Sequence, residues 1–268
     1  MMIKTQLTVY RIFILSIVVL FFGVGCDKND DADDENNQNG SEEIDFEINY
    51  GSLSDIDGNN YNTIVIGNQE WMAENLKVTR YNNGDSITGN LTDNEWSGIT
   101  EGAYAFWNND TAMLEDYGMF YNWYAVDDSR NICPSGWRVP NEYDWNQLSD
   151  YLINTYNVIT SDNVGDYLKS CRQQGSPLGG DCDTQEHPAW NGHIEHYGTD
   201  DFGFSVLPAG MREANGSYTA IGYAGFFWTT NEITNGEAVG FGFIFDSGDL
   251  DTGSEVFNTG FCIRCIKE

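Results

Sequence analysis

The chain has 268 residues, 42 of them acidic against 12 basic, for a net charge of −30, and 14% are aromatic. Phosphate recognition runs on clustered Lys and Arg, so this balance argues against nucleic acid and anionic lipid surfaces as partners. Cations and neutral sugars fit better.

Residues 1–25 read as an export leader. Lys4 and Arg11 precede an apolar run over 12–22, shorter than the roughly 20 residues a spanning helix needs. Gly23-Val24-Gly25-Cys26 resembles the lipobox of bacterial lipoproteins, with Gly23 where Leu, Val or Ile usually stands. Cys26 is therefore the expected lipidation site, and acyl chains on it would hold the protein in the outer membrane. Residues 26–48 are acidic and polar with no core-forming side chain before Ile44, and are expected to form a disordered tether. Acidic residues directly after a lipidated cysteine also resemble the surface-export signal of Bacteroidetes lipoproteins, which implies exposure at the cell surface. Residues 49–268 then form one domain.

Within that domain, glycine and aromatic residues are frequent and long helical periodicities few, which predicts short strands and ordered loops. Strands are expected at 62–66, 69–72, 103–107, 203–207, 225–229, 238–245 and 261–266, with a hairpin at Gly67-Asn68. The stretch CPSGWRVPNEYDW, from Cys133 to Trp145, predicts a strand-to-helix corner. Trp137 and Val139 share one strand face, Pro140 stops the strand, and Asn141 caps a helix carrying Trp145, Leu148 and Leu152 as one apolar stripe. Trp145 is expected to return to the same core as Trp137. A shorter helix is expected over 164–170.

Export favours disulfides among Cys133, Cys171, Cys182, Cys262 and Cys265. Cys171 and Cys182 enclose a turn-rich loop and are expected to pair. Cys133 would bond to a cysteine of the last strand; 262 and 265 face opposite sides, so only one can meet it, and Cys265 is favoured. Cys262 and Cys265 lie in a β-branched tail, unlike a redox CxxC at a helix start.

No catalytic motif stands out. His187, His193 and His196 cluster with Glu186 and Glu195 but lack the helical HExxH of a zinc site. Asp249, Asp251, Gly253 and Glu255 alternate like calcium ligands, as do Asp55 and Asp57, yet neither run is an EF-hand, and both read as turns. Calcium is the one cofactor the composition leaves open, and no metal ligand is assigned. GxSxG elbows, P-loops and dinucleotide fingerprints are absent, and in so acidic a chain no carboxylate pair can be singled out for glycoside hydrolysis.

Six blocks in order, DIDGNNYNTIVIGNQEWMAENLKVTRYNNGDSI, YGMFYNWYAV, CPSGWRVPNEYDWNQL, HYGTDDFGFSVLPAGMR, GFFWTTNEI and GFCIRCIKE, resemble the Fibrobacter succinogenes major paralogous domain (FISUMP). GWRVPNEYDW also resembles the GWRLPTEAEW corner of formylglycine-generating-type domains and of retroelement variable proteins, both C-type-lectin-like. The resemblance implies an α+β, C-type-lectin-like fold of short, mostly antiparallel strands with one or two helices, its last strand pairing near its first. The usual family ending, GFSVRC, has one cysteine, which implies that Cys265 is bonded and Cys262 is the free thiol. It also implies that an irregular region between the helices and the C-terminus binds ligand, and the leading expectation is a non-catalytic surface domain binding an extracellular glycan or protein, with adhesion as a candidate role. A formylglycine-type oxidase and an envelope protein without a small ligand are the alternatives. The ligand face is expected in the C-terminal half at Trp190, Tyr223, Trp228, Asn231, Glu232 and Asp246, where rings beside amides and carboxylates suit sugars.

Overall fold

The computed structural model describes residues 11–12, 44–233 and 236–268. Cys26, the leader apart from 11–12, and the tether up to residue 43 lie outside the described residues. In chain order the elements are β1 (Arg11–Ile12), β2 (Gly51–Ser54), β3 (Asn60–Ile66), β4 (Gln69–Met72), α1 (Asp93–Gly98), β5 (Tyr104–Ala105), α2 (Thr111–Tyr117), β6 (Phe120–Tyr121), α3 (Trp123–Val126), β7 (Trp137–Arg138), α4 (Glu142–Thr155), α5 (Val164–Leu168), β8 (Met211–Arg212), β9 (Tyr218–Thr219), β10 (Ala224–Ile233), β11 (Glu237–Ile244), β12 (Asp251–Val256) and β13 (Ile266–Lys267).

The architecture is α+β. One sheet runs β2-β3-β4-β13-β7 and a second β1-β12-β11-β10, beside the ribbons β5-β6 and β8-β9. Strand pairing is antiparallel except for β1, which lies parallel to β12. The β3–β4 hairpin forms as expected, with Ile66 opposite Gln69 and Gly67 at φ 61°, a conformation glycine adopts without strain. On β11 a side chain at Gly240 would strike the Phe261 ring, so glycine there allows the closing segment to approach the sheet.

The corner also forms. Asn141 accepts from the Asp144 amide at 3.1 Å and the Asp144 carboxylate accepts from the Asn141 amide at 2.7 Å, a reciprocal cap that starts α4. Cys133 is bonded to Cys265 across 132 residues and Cys171 to Cys182 across 11. Cys262 is free and buried. The first disulfide ties the corner to the segment entering β13, which lies between β4 and β7.

Several expectations need correction. Trp137 and Val139 join Cys133, Cys265 and Trp228 in one core cluster, but Trp145 enters a second, with Trp71, Phe227 and Phe241. The cause is strand alternation: Arg138 points away from Trp137 and Val139 and binds Asp144 at 2.6 and 2.8 Å, which draws α4 onto the opposite face. There Trp145 stacks on Phe241 at 5.4 Å and tilts against Trp71 at 4.8 Å. Residues 203–207 are irregular with a single bridge at Val206, and only Ile266–Lys267 of the closing segment joins a ladder, with Phe261 and Cys262 making isolated bridges. Residues 251–256, read as a turn, are strand β12, which borrows its order from β11. Ile44 and Phe46, assigned to the tether, belong to the folded body, where Phe46 meets Phe202 edge-on at 5.0 Å.

Candidate functional site

The six expected ligand-face residues separate into three groups. Trp190 and Trp228 are core residues, 1% and 0% exposed. Trp228 donates its indole N–H to the Tyr121 carbonyl at 2.8 Å and lies on Phe261; Trp190 donates to Ser170 Oγ and the Val206 carbonyl, both at 3.2 Å. Neither ring face meets solvent, so neither is a sugar platform. The other four lie at opposite ends of β10, roughly 25 Å apart at 3.3 Å per residue.

At the Ala224 end, Tyr223 is partly buried against Phe245 at 4.8 Å, and Phe245 meets the edge of His193 at 6.2 Å. His193 stacks on His196, whose Nδ1 lies 3.1 Å from the Asp166 carboxylate. Beneath them Lys169 is buried. Its ammonium donates to the carbonyls of His196, Ile244 and Ser247 at 3.2, 3.1 and 3.0 Å and lies 2.8 Å from Asp166. Burial lowers the Lys169 pKa, opposed by Asp166. Asp246 is exposed beside this group. His187 is elsewhere, with Nδ1 2.7 Å from the Tyr117 hydroxyl. Among the described residues no three His, Cys, Asp or Glu are grouped to hold a metal ion. The Asp55–Asp57 loop fills its carboxylates from within: Asp55 accepts from Asp57 N, Asn59 N and Tyr61 Oη, and Asp57 from Thr79 and Arg80.

The Ile233 end is built against α4. Thr230 N donates to the Pro140 carbonyl at 3.0 Å and Glu142 N to Asn231 Oδ1 at 2.7 Å, so the strand end is stitched to the helix start. Glu232 is exposed next to it. Three open clefts of about 370, 440 and 360 Å³ adjoin here. The first and second share Asn141 and Thr230, and the second and third share Tyr143 and Asn146. Together they follow the outward stripe of α4, Tyr143, Asn146, Gln147, Asp150, Tyr151 and Asn154, at helical spacings of three and four. Tyr143 is 70% exposed, unusual for so large a ring. The cation beside the clefts, Arg138, is committed to Asp144, whose hydrogen bonds raise its pKa.

This surface offers ring faces, planar amides with donors and acceptors, and carboxylates, a set suited to recognising hydroxyl-rich ligands. Of the expected residues it contains Asn231, with Glu232 alongside. Tyr143, Asn146 and Tyr151, which line these clefts, are not among the expected residues, although the sequence carries a signal for them. The helix stripe opposite Trp145, Leu148 and Leu152 carries two tyrosines and three amides but a single charge, whereas a merely solvated face is usually laced with ion pairs.

No curated protein and no solved structure matches the chain. The model of the Fibrobacter succinogenes major domain matches residues 64–267, from within β3 to the end of β13 and well over half of the sequence. The chain therefore belongs to the Fibrobacter succinogenes major domain family.

Proposed function

We propose that this protein is an outer-membrane lipoprotein, anchored through Cys26 and displayed at the cell surface, whose C-type-lectin-like domain binds an extracellular glycan without catalysis. The observation that carries this reading is the outward stripe of α4, where an exposed tyrosine stands among amides and carboxylates over adjoining clefts. Ring faces take the apolar side of a pyranose while amides and carboxylates hold its hydroxyls. The lectin-like assignment is supported by the closing strand β13 lying between β4 and β7 and by its disulfide to the corner.

An oxidase of the formylglycine-generating type would need two accessible thiols together. Cys265 is consumed in a disulfide, and burial pushes the Cys262 thiol up to about 12, far from the reactive thiolate range. Neither run that alternates like calcium ligands keeps that form, because the carboxylates of the Asp55–Asp57 loop are filled by protein donors and Asp251 and Glu255 belong to a strand.

The test is equilibrium binding to an immobilised glycan panel, with and without a calcium chelator, for the wild type and Tyr143→Ala. Binding that survives chelation and is lost in the variant is expected; an unaltered variant would remove α4 from the site, and no binding to any glycan would favour an envelope protein without a small ligand. Protease shaving of intact cells tests the location, with release of the domain expected.

A further inference from the structure

Resting on that reading, the geometry points to a more specific ligand: we infer that the α4 surface takes an extended, uncharged oligosaccharide lying along the helix, and neither a single terminal sugar nor an acidic chain.

Length comes from the two rings. Tyr143 and Tyr151 are eight residues apart on one stripe, a separation of about 12 Å at 1.5 Å per residue. That is farther than one pyranose reaches, so a ligand using both platforms has several rings in line. Asn146 and Gln147 lie between the platforms and Asn154 beyond them; Gln147 Oε1 accepts from Gln69 at 3.2 Å and Asn154 Nδ2 donates to the Asp150 carbonyl at 2.7 Å, so these two offer a ligand their remaining amide donors and acceptors. The clefts also continue past the helix start to Asn131 and Val126, so the path does not end at Tyr143. Tyr151 is held in place: its ring lies against the Gly67 turn so closely that a side chain on Gly67 would meet it at 2.8 Å. A fixed ring loses little freedom on binding, which favours a platform over a mobile surface side chain.

Charge decides the rest. Glu142 and Asp150 line the path, while the other charges beside it are paired, Asp128 with Arg130 at 2.6 Å and Arg138 with Asp144 through two hydrogen bonds. With a net charge of −30 over the chain, uronate or sulfated chains would approach against a repulsive field at low ionic strength.

The experiment is calorimetric titration with β-linked and α-linked glucose oligomers of one to six rings and with galacturonate oligomers as the acidic counterpart. Each ring stack contributes about three- to tenfold in affinity. In one uncharged series, affinity is expected to climb from the monomer and level off once both tyrosines are bridged. Tyr151→Ala should lower affinity for the long oligomers by about that factor while leaving the shortest unchanged. Equal affinity for monomer and long oligomer, with Tyr151→Ala silent, would overturn the extended mode and leave glycan binding standing. Tighter binding of the galacturonate series would overturn the charge argument. Absence of binding to every uncharged oligomer would overturn the inference, and absence of binding across the whole glycan panel as well would overturn the reading on which it rests.

Discussion

At the Ala224 end of β10 the polar and aromatic side chains face one another, and at the Ile233 end they face outward. Around Tyr223 the Lys169 ammonium, three carbonyls and Asp166 satisfy each other, and His193, His196 and Phe245 close over them. Around Asn231 the helix start is satisfied by its cap, while the side chains of the α4 stripe extend over open clefts. Both ends combine rings with polar groups, Lys169, His193 and His196 at one and tyrosines and amides at the other. What separates a brace from a recognition surface is unspent hydrogen-bonding capacity beside an exposed ring.

The two disulfides close loops of very different length, and the largest expected effect follows from the longer one. The Cys133–Cys265 loop of 132 residues is expected to contribute about 5 kcal/mol by chain entropy, so the double serine variant should show the largest loss in denaturant midpoint and lose ligand binding with it. Lys169→Met leaves Asp166 buried without its cation and should cost about 4 kcal/mol. Amide exchange should localise that loss to the Ala224 end with ligand binding retained, and adding Asp166→Asn should recover part of it. Removing Cys171–Cys182, which spans 11 residues, should cost about 3 kcal/mol and loosen residues 171–198 only. A larger effect from this pair than from Cys133–Cys265 would invert the assignment of braces.

The smallest effect concerns pH. Glu255 on β12 lies opposite Ala238, which in turn lies opposite Glu232 at the Ile233 end of β10. Burial, reinforced by Glu213 and Glu237, pushes its carboxyl up to about 7 from an ordinary 4.5. In that interval the folded protein keeps a proton that the unfolded chain has released. Its contribution therefore favours folding at low pH and is lost as pH rises through 7. Glu255→Gln should raise the melting temperature at pH 8 relative to wild type and narrow the difference between pH 5 and pH 8.

Local chemistry made some of this legible in advance. Pro140 and Asn141 mark the corner, Gly67-Asn68 the hairpin, and Cys133, Cys171, Cys182 and Cys265 the two covalent ties, because each depends on residues whose geometry is restricted wherever they occur. The placement of Trp228 was not legible. Its burial depends on Tyr121, 107 residues earlier in the chain, and no period in the sequence reports such a partner. Strand β12 was hidden for a related reason, since Asp251, Gly253 and Ser254 have low strand propensity and are ordered by pairing with β11. Within α4 the inward stripe was read and the outward one passed over, although Tyr143 and Tyr151 stand on it at the same helical period.

The most direct measurement is the map of amide NMR shifts on adding the tightest-binding uncharged oligosaccharide. Shifts centred on 141–155 and 230–232 and reaching no farther than the adjoining cleft at Val126, Asn131 and Val139, with Tyr223, Phe245 and His193 unmoved, are predicted. Shifts centred on the Tyr223 end, or spread without a centre, would contradict the assignment of recognition to α4.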